Sequence, residues 1–306
     1  MSGALQAVFA NQRGFAIVPG APTIGTATAT GSTTATVAFT APAIDGGSTI
    51  TSYTATSSPG GITGTLNQAG SGTISITGLS GGTSYTFTVT ATNAVGTGPA
   101  SAASNSITTV PVIGQAFGGG FYAGQIGVSG SATHNLVIGP ISTAQSTLAW
   151  KNTNTATTGA DSDIDGPQNT LDMVADGNST VYPAAHFCNN LSTGGQTDWY
   201  MPAKNELEVC YYNLKPTTEA NFTGSGTNPN AVPARASSYT SGDPAQTSAA
   251  DFKDTGAEDF TAVYYFSSTE FAANGAVFQH FDYGRQYLSG GKTVARPVRA
   301  VRRISV

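Results

Sequence analysis

The sequence predicts a mainly β chain of two domains, a β-sandwich followed by an α+β domain. Three observations carry this prediction. Thr, Ser, Ala and Gly dominate, with 38 Gly in 306 residues, a composition that suits short strands and tight turns and excludes an all-helical protein. Charge is split: of the 29 charged side chains (12 Lys and Arg plus 17 Asp and Glu), Arg13 and Asp45 alone precede residue 111 and the other 27 follow it. The apolar pattern also changes, from strict alternation in the first third to runs at helical spacing later.

Residues 1–18 open with "MSGALQAVFANQRGF". The stretch has no basic region followed by an apolar core, so no signal peptide is expected, and no run reaches the roughly 18 to 20 apolar residues of a membrane span. The expectation is a protein made in the cytoplasm and not inserted in a membrane. Leu5, Val8, Phe9 and Phe15 are candidates to dock the chain on a larger assembly. The stretch is similar to the starts of structural proteins of cyanophages, which implies attachment to other virion proteins.

Residues 19–111 carry the runs "TATVAFTAP", "TITSYTATS", "GTISITGL" and "TSYTFTVTATNA" between Gly-rich turns, at the spacing of a β-sandwich. On the last run Tyr85, Phe87, Val89 and Ala91 point one way and threonines the other. The segment "GLSGGTSYTFTVTATNAVGTGPAS" resembles the E–F corner, F strand and F–G loop of a fibronectin type III module, which has an immunoglobulin-like sandwich fold. Leu79 precedes the turn, Tyr85 takes the tyrosine-corner position, and Phe39 stands where the family usually has a tryptophan. With one charged residue and no His or Cys, this module holds no general acid, base or metal ligand. It reads as a spacer or docking module.

Residues 112–306 hold both Trp and nearly all the charge. Ala184, Cys188 and Leu191 fall at helical spacing. After "GGQTDW", Pro202 signals the start of a second helix with Leu207, Cys210, Tyr211 and Leu214 on one stripe. The stretches "GGFYAGQI", "YPAAHFCNNLSTGGQTDWYMPAKNELEVCYY", "YYFSSTE" and "ARPVRAV" resemble, in order, the landmarks of the Lcl C-terminal domain family. That resemblance implies a C-type-lectin-like α+β fold and an adhesive or receptor-binding role.

Several constellations bear on chemistry. In "DSDIDGPQNTLD", Asp161, Asp163, Asp165, Gly166 and Asp172 fall at positions 1, 3, 5, 6 and 12 of an EF-hand-like loop. Against that pattern, position 12 is Asp instead of Glu, position 7 is Pro, and no helical flanks are evident. Two readings stay open: a calcium site formed by Asp161, Asp163, Asp165 and Asp172, or a solvated turn with Asn169 bonding its own backbone. No other cofactor is expected. His280 and Asp282 with Ser267 or Ser268 form the minimal kit of an activated nucleophile, but no G-x-S-x-G elbow accompanies them. Cys188 and Cys210 sit on apolar stripes and read as inert core thiols, with a disulfide as the alternative. Between residues 266 and 287, Phe266, Phe271, Val277 and Phe278 read as strand core. Asn274, Gln279, His280, Asp282, Tyr283, Arg285, Gln286 and Tyr287 form the candidate binding surface, the residue mixture that protein and sugar recognition favours.

Net charge of −5 without a basic run leaves no footprint for nucleic acid apart from Arg296, Arg299, Arg302 and Arg303. The two resemblances together, with no secretion signal expected, imply a non-enzymatic virion protein of a tailed bacteriophage, a fibre or tail appendage whose lectin-like domain binds a host cell-surface glycan or protein. Homo-oligomers, trimers foremost, would raise effective concentration and give avidity. Two alternatives stand beside it: a capsid decoration protein without a host receptor, and a glycan-acting enzyme that would need a carboxylate pair among Glu206, Glu208, Glu258, Asp259 and Glu270.

Overall fold

The computed structural model describes residues 15–306. The chain forms two compact units that part after Val112. In the first unit, threonine-rich alternation folds into seven antiparallel strands: β1 (Thr23–Ala29), β2 (Thr34–Thr40), β3 (Ser52–Ser58), β4 (Thr63–Leu66), β5 (Gly72–Thr77), β6 (Ser84–Thr92) and β7 (Ile107–Thr108). Two sheets, ordered β1-β2-β5 and β4-β3-β6-β7, close on one core of Ala27, Val37, Phe39, Tyr53, Ile74, Ile76, Leu79, Tyr85, Phe87, Val89 and neighbours. The inward face of β6 is the expected one, with Phe87, Val89 and Ala91 fully buried. Phe39 fills its place by packing its ring 4.3 Å from that of Tyr53. At the E–F corner the Ser80 N–H donates to the Tyr85 hydroxyl at 2.9 Å.

The chain enters this module beside Gly46, where the Ile17 N–H meets the Gly46 carbonyl at 2.9 Å. It leaves beside the start of β6, where the Thr109 N–H meets the Thr83 carbonyl at 3.1 Å. Entry and exit are thus separated by the length of β6, nine residues or about 30 Å of extended chain.

The second unit contains β8 (Ala116–Phe117), β9 (Gly120–Val128), β10 (Ser131–Ile138), α1 (Ile141–Ala144), β11 (Gln145–Leu148), α2 (Gly166–Asp176), α3 (Pro183–Asn189), α4 (Lys204–Leu214), β12 (Tyr264–Ala272), β13 (Gly275–His280), β14 (Gln286–Gly291), β15 (Arg296–Arg299) and β16 (Val301–Ser305). Its sheets are β16-β10-β9-β8, β11-β15 and β12-β13-β14. It is β-rich with a few helices, as the sequence implies. β16 returns to pair with β10, setting Leu136 opposite Arg303 and Ile138 opposite Val301. Two clusters form the core. One packs α4 on β10 and the strand region around Tyr265 and Phe281; the other surrounds Trp150, Trp199, Phe266 and Phe278.

Both expected helices form, within bounds that the pattern blurs. α3 ends at Asn189, so Leu191 lies past its end, and α4 begins two residues after Pro202. α2 was not expected. Pro167 stands in its first turn and the Asp165 carboxylate caps it by accepting the Gln168 N–H. Its inward face is Asn169, Thr170 and Met173, so polar residues occupy buried positions and hide the helical period. Phe271, expected in the core, is 56% exposed near the end of β12.

Tyr85→Phe removes one acceptor for the Ser80 N–H and leaves the ring in place. It is expected to cost about 1 kcal/mol in the unfolding transition of the first unit, measured by chemical denaturation.

Candidate functional site

The candidate surface is built on β13, β14 and the turn between them. Gly284 lets the turn close: its φ is +74°, and a Cβ there would lie 2.3 Å from the Tyr211 ring. The His280 N–H donates to the Arg285 carbonyl at 3.0 Å and the Gly284 N–H to the His280 carbonyl at 2.9 Å. Inside the turn the Asp282 N–H donates to His280 Nδ1 at 3.2 Å. The loop from Phe222 to Thr227 runs alongside, held by the Phe222 N–H on the Tyr283 carbonyl at 2.8 Å and the Gln286 N–H on Ser225 Oγ at 3.0 Å. Between them lies an open groove of about 210 Å³ lined by Lys204, Gly224, Ser225, Gly226, Thr227, Gln286 and Leu288.

Side-chain stacking fixes the rest. Arg285 lies 4.7 Å over the Phe222 ring and 4.1 Å over that of Tyr287, and Tyr287 stacks on Phe278 at 5.5 Å. Arg296 lies 4.5 Å over Phe278. The imidazole of His280 stacks on Tyr283 at 4.3 Å and meets Tyr264 edge-on at 4.4 Å, while the Tyr264 and Tyr283 hydroxyls are 2.9 Å apart. Burial holds the His280 imidazole below its usual 6.5, with Asp282 opposing that shift.

Of the eight residues read as a binding surface, Asn274 is exposed, six are half-buried and Gln279 is buried. Gln279 is thus corrected: at 1% exposure its amide turns inward to the Tyr239 hydroxyl and the Gly284 carbonyl. Asn274 sits in the β12–β13 hairpin, away from the turn that carries the other six. Lys204, Phe222, Leu288 and the loop 224–227 are brought to the surface by folding from distant positions. No local pattern marks them, although the Gly-rich "FTGSGT" at 222–227 is a turn signal. A second open hollow of about 560 Å³, lined by Leu148, Pro183, His186, Phe187, Leu191 and neighbours, also has no sequence signature.

The four aspartates do not converge. Asp163 pairs with Lys204, Asp165 caps α2 and lies 3.9 Å from Arg303, and Asp172 accepts from Gln168 Nε2 at 2.9 Å. Among the described residues no three His, Cys, Asp or Glu side chains could hold one metal ion. Asn169 is buried and clasps the backbone of the preceding loop, accepting the Ser162 N–H at 3.1 Å. From α2 it donates to the Ser162 carbonyl at 2.7 Å and to Ser268 Oγ at 3.1 Å.

The nucleophile kit is also dispersed: Ser267 donates to the Val277 carbonyl at 2.9 Å, and both serines are fully buried. Cys188 and Cys210 are free and buried, lie in different core clusters, and burial raises both thiols.

The carboxylates that glycan cleavage would need are committed elsewhere. Glu206 accepts from Arg303 Nε at 2.7 Å, the Ala203 N–H at 2.8 Å and the Tyr200 hydroxyl. Glu208 takes Tyr239 at 2.6 Å, Asn228 at 2.5 Å and Arg235. Glu258 pairs with Arg299 and caps the Ile141 N–H at 2.7 Å. Glu270 pairs with Lys292 at 2.5 Å and the Thr157 N–H at 2.7 Å, and Asp259 accepts the Thr255 N–H at 3.0 Å. The arginines near the chain's end are likewise internal: Arg299, Arg302 and Arg303 pair with Glu258, Asp198 and Glu206, while Arg296 lies on rings. They form no exposed basic stripe.

The profile of the fibronectin type III domain matches residues 20–107 and that of the Lcl C-terminal domain matches residues 140–302. The chain belongs to the Lcl C-terminal domain family and carries a fibronectin type III domain ahead of it. Among solved structures it is similar to a crystal structure of titin domains, at 29% identity over 30% of this chain and 32% of that one, with a TM-score of 0.27. It is similar also to the twitchin kinase region from C. elegans, at 23% over 31% and 17%, TM-score 0.26. A third, described as a myokine structure, matches at 18% over 30% and 98%, TM-score 0.23. The chain spans about a third of the titin chain and less of the twitchin one. No curated protein matches it. The two domains are consistent with a phage-like adhesion or structural module. Among the described residues no helix is long and apolar enough to cross a membrane.

Two outcomes are expected from this geometry. Glu206→Ala removes the buried carboxylate that the half-buried Arg303, the Tyr200 hydroxyl and the Ala203 N–H share and is expected to destabilise the second unit by about 3 kcal/mol in denaturant unfolding. For His280 the folded state resists protonation while the unfolded chain takes a proton near 6.5. Stability is therefore present above that pH and falls as pH drops through the folded-state value. An NMR titration should place the His280 midpoint below 6.5, and His280→Asn, which retains an acceptor for the Asp282 N–H, should flatten part of the loss.

Proposed function

We propose that the chain is a structural protein of a tailed-phage particle that adheres to the host through its Lcl C-terminal domain, without catalysis. The observation that carries this is the groove between the loop 224–227 and β14. There Lys204, Gln286 and the 47%-exposed Leu288 adjoin the stacked Phe222, Arg285 and Tyr287. A rigid aromatic scaffold presenting one aliphatic anchor and a few polar ends is the composition of a recognition surface. Because the ring faces of Tyr287 and Tyr283 are already covered from within, contact falls to the guanidinium, the hydroxyls, Leu288 and Lys204. This favours a host glycan or protein bound by its polar groups over a sugar stacked on an open ring.

The non-catalytic reading is supported by the five carboxylates weighed for glycan cleavage, each drawn into a structural bond, and by the full burial of Ser267 and Ser268. The fibronectin type III domain acts as spacer. Its entry and exit lie a strand's length apart, so it adds about 30 Å between the segments on its two sides. In this reading the protein is made in the host cytoplasm, joins other virion proteins through residues 1–18, and works as a homo-oligomer whose weak contacts sum to avidity. Of that segment, Leu5, Val8 and Phe9 lie outside the described residues.

Labelled full-length protein, multimerised, is expected to bind host cells saturably. Arg285→Ala with Leu288→Ser, both at the surface, is expected to weaken binding about tenfold or more. Absence of binding by the folded protein would overturn adhesion. If particles without the chain then lost heat resistance, a decoration role would take its place.

A further inference from the structure

The exposed large apolar side chains of the first unit are not scattered. Besides Val112 they are Phe15 at 99% exposure, Ile17 at 59%, Val18 at 37%, Ile44 at 64% and Val95 at 51%. These five come from three separate stretches that hydrogen bonds draw to one pole. The Ile17 N–H donates to the Gly46 carbonyl at 2.9 Å and the Gly20 N–H to the Ile44 carbonyl at 2.9 Å. Asn93, buried to 4% exposure, donates from Nδ2 to the carbonyls of Ile17 at 2.7 Å and Asp45 at 2.8 Å, while its Oδ1 accepts the Val95 N–H at 2.9 Å. A Cβ built on Gly96 would lie 3.3 Å from Val18 Cγ1. Around Ile17, Val18, Ile44 and Val95 the pole is therefore a fixed surface, and apolar patches of this kind on an ordered surface mark contacts. One formal charge accompanies it. Asp45 is exposed, and one of its oxygens accepts the Gly47 N–H at 2.8 Å.

We propose that this apolar pole of the fibronectin type III domain is itself the surface by which the chain seats on its particle. Its partner is a protein face that is apolar and carries a single basic side chain opposite Asp45. The inference rests on the virion reading above and adds to it a folded surface with a stated partner chemistry. Charge decides the occupant. Among described residues 15–112, Asp45 is the sole Asp, Glu, Lys or Arg, so a partner rich in charge would be desolvated without compensation. A second copy of the same pole would bring a second carboxylate and no cation to the contact. An apolar face with one cation satisfies both the aliphatic side chains and the carboxylate.

The test uses full-length chain supplied during infection with phage lacking its gene, with copies per purified particle counted by quantitative mass spectrometry. The chains compared are wild type, Ile44→Asp with Val95→Asp, Asp45→Asn, and Val294→Asp, which alters an exposed residue of the other unit. The expected result is about tenfold or more fewer copies for the double variant, a smaller loss for Asp45→Asn, and wild-type numbers for Val294→Asp. Thermal unfolding matching wild type establishes that the double variant folds. Double-variant copies equal to wild type would overturn the inference and leave the virion reading standing. Absence of the wild-type chain from particles would overturn the virion reading, and the inference with it. Sedimentation showing that the double variant has lost self-association that wild type possesses would assign the pole to a contact between copies, against the proposal.

Discussion

Much of the second domain depends on one ion pair whose carboxylate is fully buried. Glu206, fully buried in the first turn of α4, is bound by Arg303 from β16, by the Tyr200 hydroxyl and by the Ala203 N–H at the helix start. Arg303 in turn reaches the Ile164 carbonyl in the loop before α2. A single carboxylate thus joins the start of α4, the closing strand and the loop that leads into α2. Burial raises Glu206, while Arg303 is the largest influence opposing that shift. The pair brings geometry more surely than net energy, since an apolar replacement of equal shape can be as stable. Glu208, two residues on, repeats the device with Arg235, Tyr239 and Asn228, and so anchors the loop that walls the groove.

The same economy governs two further cations of the domain. Lys292 sits between Glu270 and the Trp150 ring. Arg299 sits between Glu258 and the Phe260 ring. Cations are held by a carboxylate on one side and an aromatic face on the other, a combination that offsets desolvation better than either alone. Arg285 and Arg296 have the rings without an ion pair among the described residues, and these two lie at the candidate surface and beside it.

How much of this the sequence discloses depends on the reach of its signals. The first domain was legible almost entirely, because alternation on β6 and the Tyr85 corner are local patterns with one structural solution. α3 and α4 were legible from apolar spacing. α2 was not, because Asn169 and Thr170 face inward, and besides the nearby Ser162 and Gly166 they are satisfied by Met201 and Ser268, which lie 31 and 99 residues away. The aspartate run misled for the same reason: spacing along the chain matched a cation loop, whereas Lys204, brought from 41 residues away, claimed Asp163. Of the binding surface, the turn 280–287 was visible and its opposite wall, Lys204 with residues 222–227, was not. Gln279 was misplaced because the register of β13 sends it inward.

The near-absence of charge in the fibronectin type III domain has a consequence for where such a protein can work. Electrostatic contacts between exposed groups weaken as the screening length shrinks from about 10 Å at 0.1 M salt to about 3 Å at 1 M. A sandwich held by aliphatic packing and threonine-rich ladders, with Asp45 as the lone formal charge of its described residues, has almost nothing to screen. In the following domain four ion pairs, Arg235–Glu208, Lys292–Glu270, Arg299–Glu258 and Arg303–Glu206, have neither side chain exposed, so solvent ions reach them poorly. The architecture is one whose cohesion changes little between dilute and saline water, so a particle built with it would carry the same fold through either.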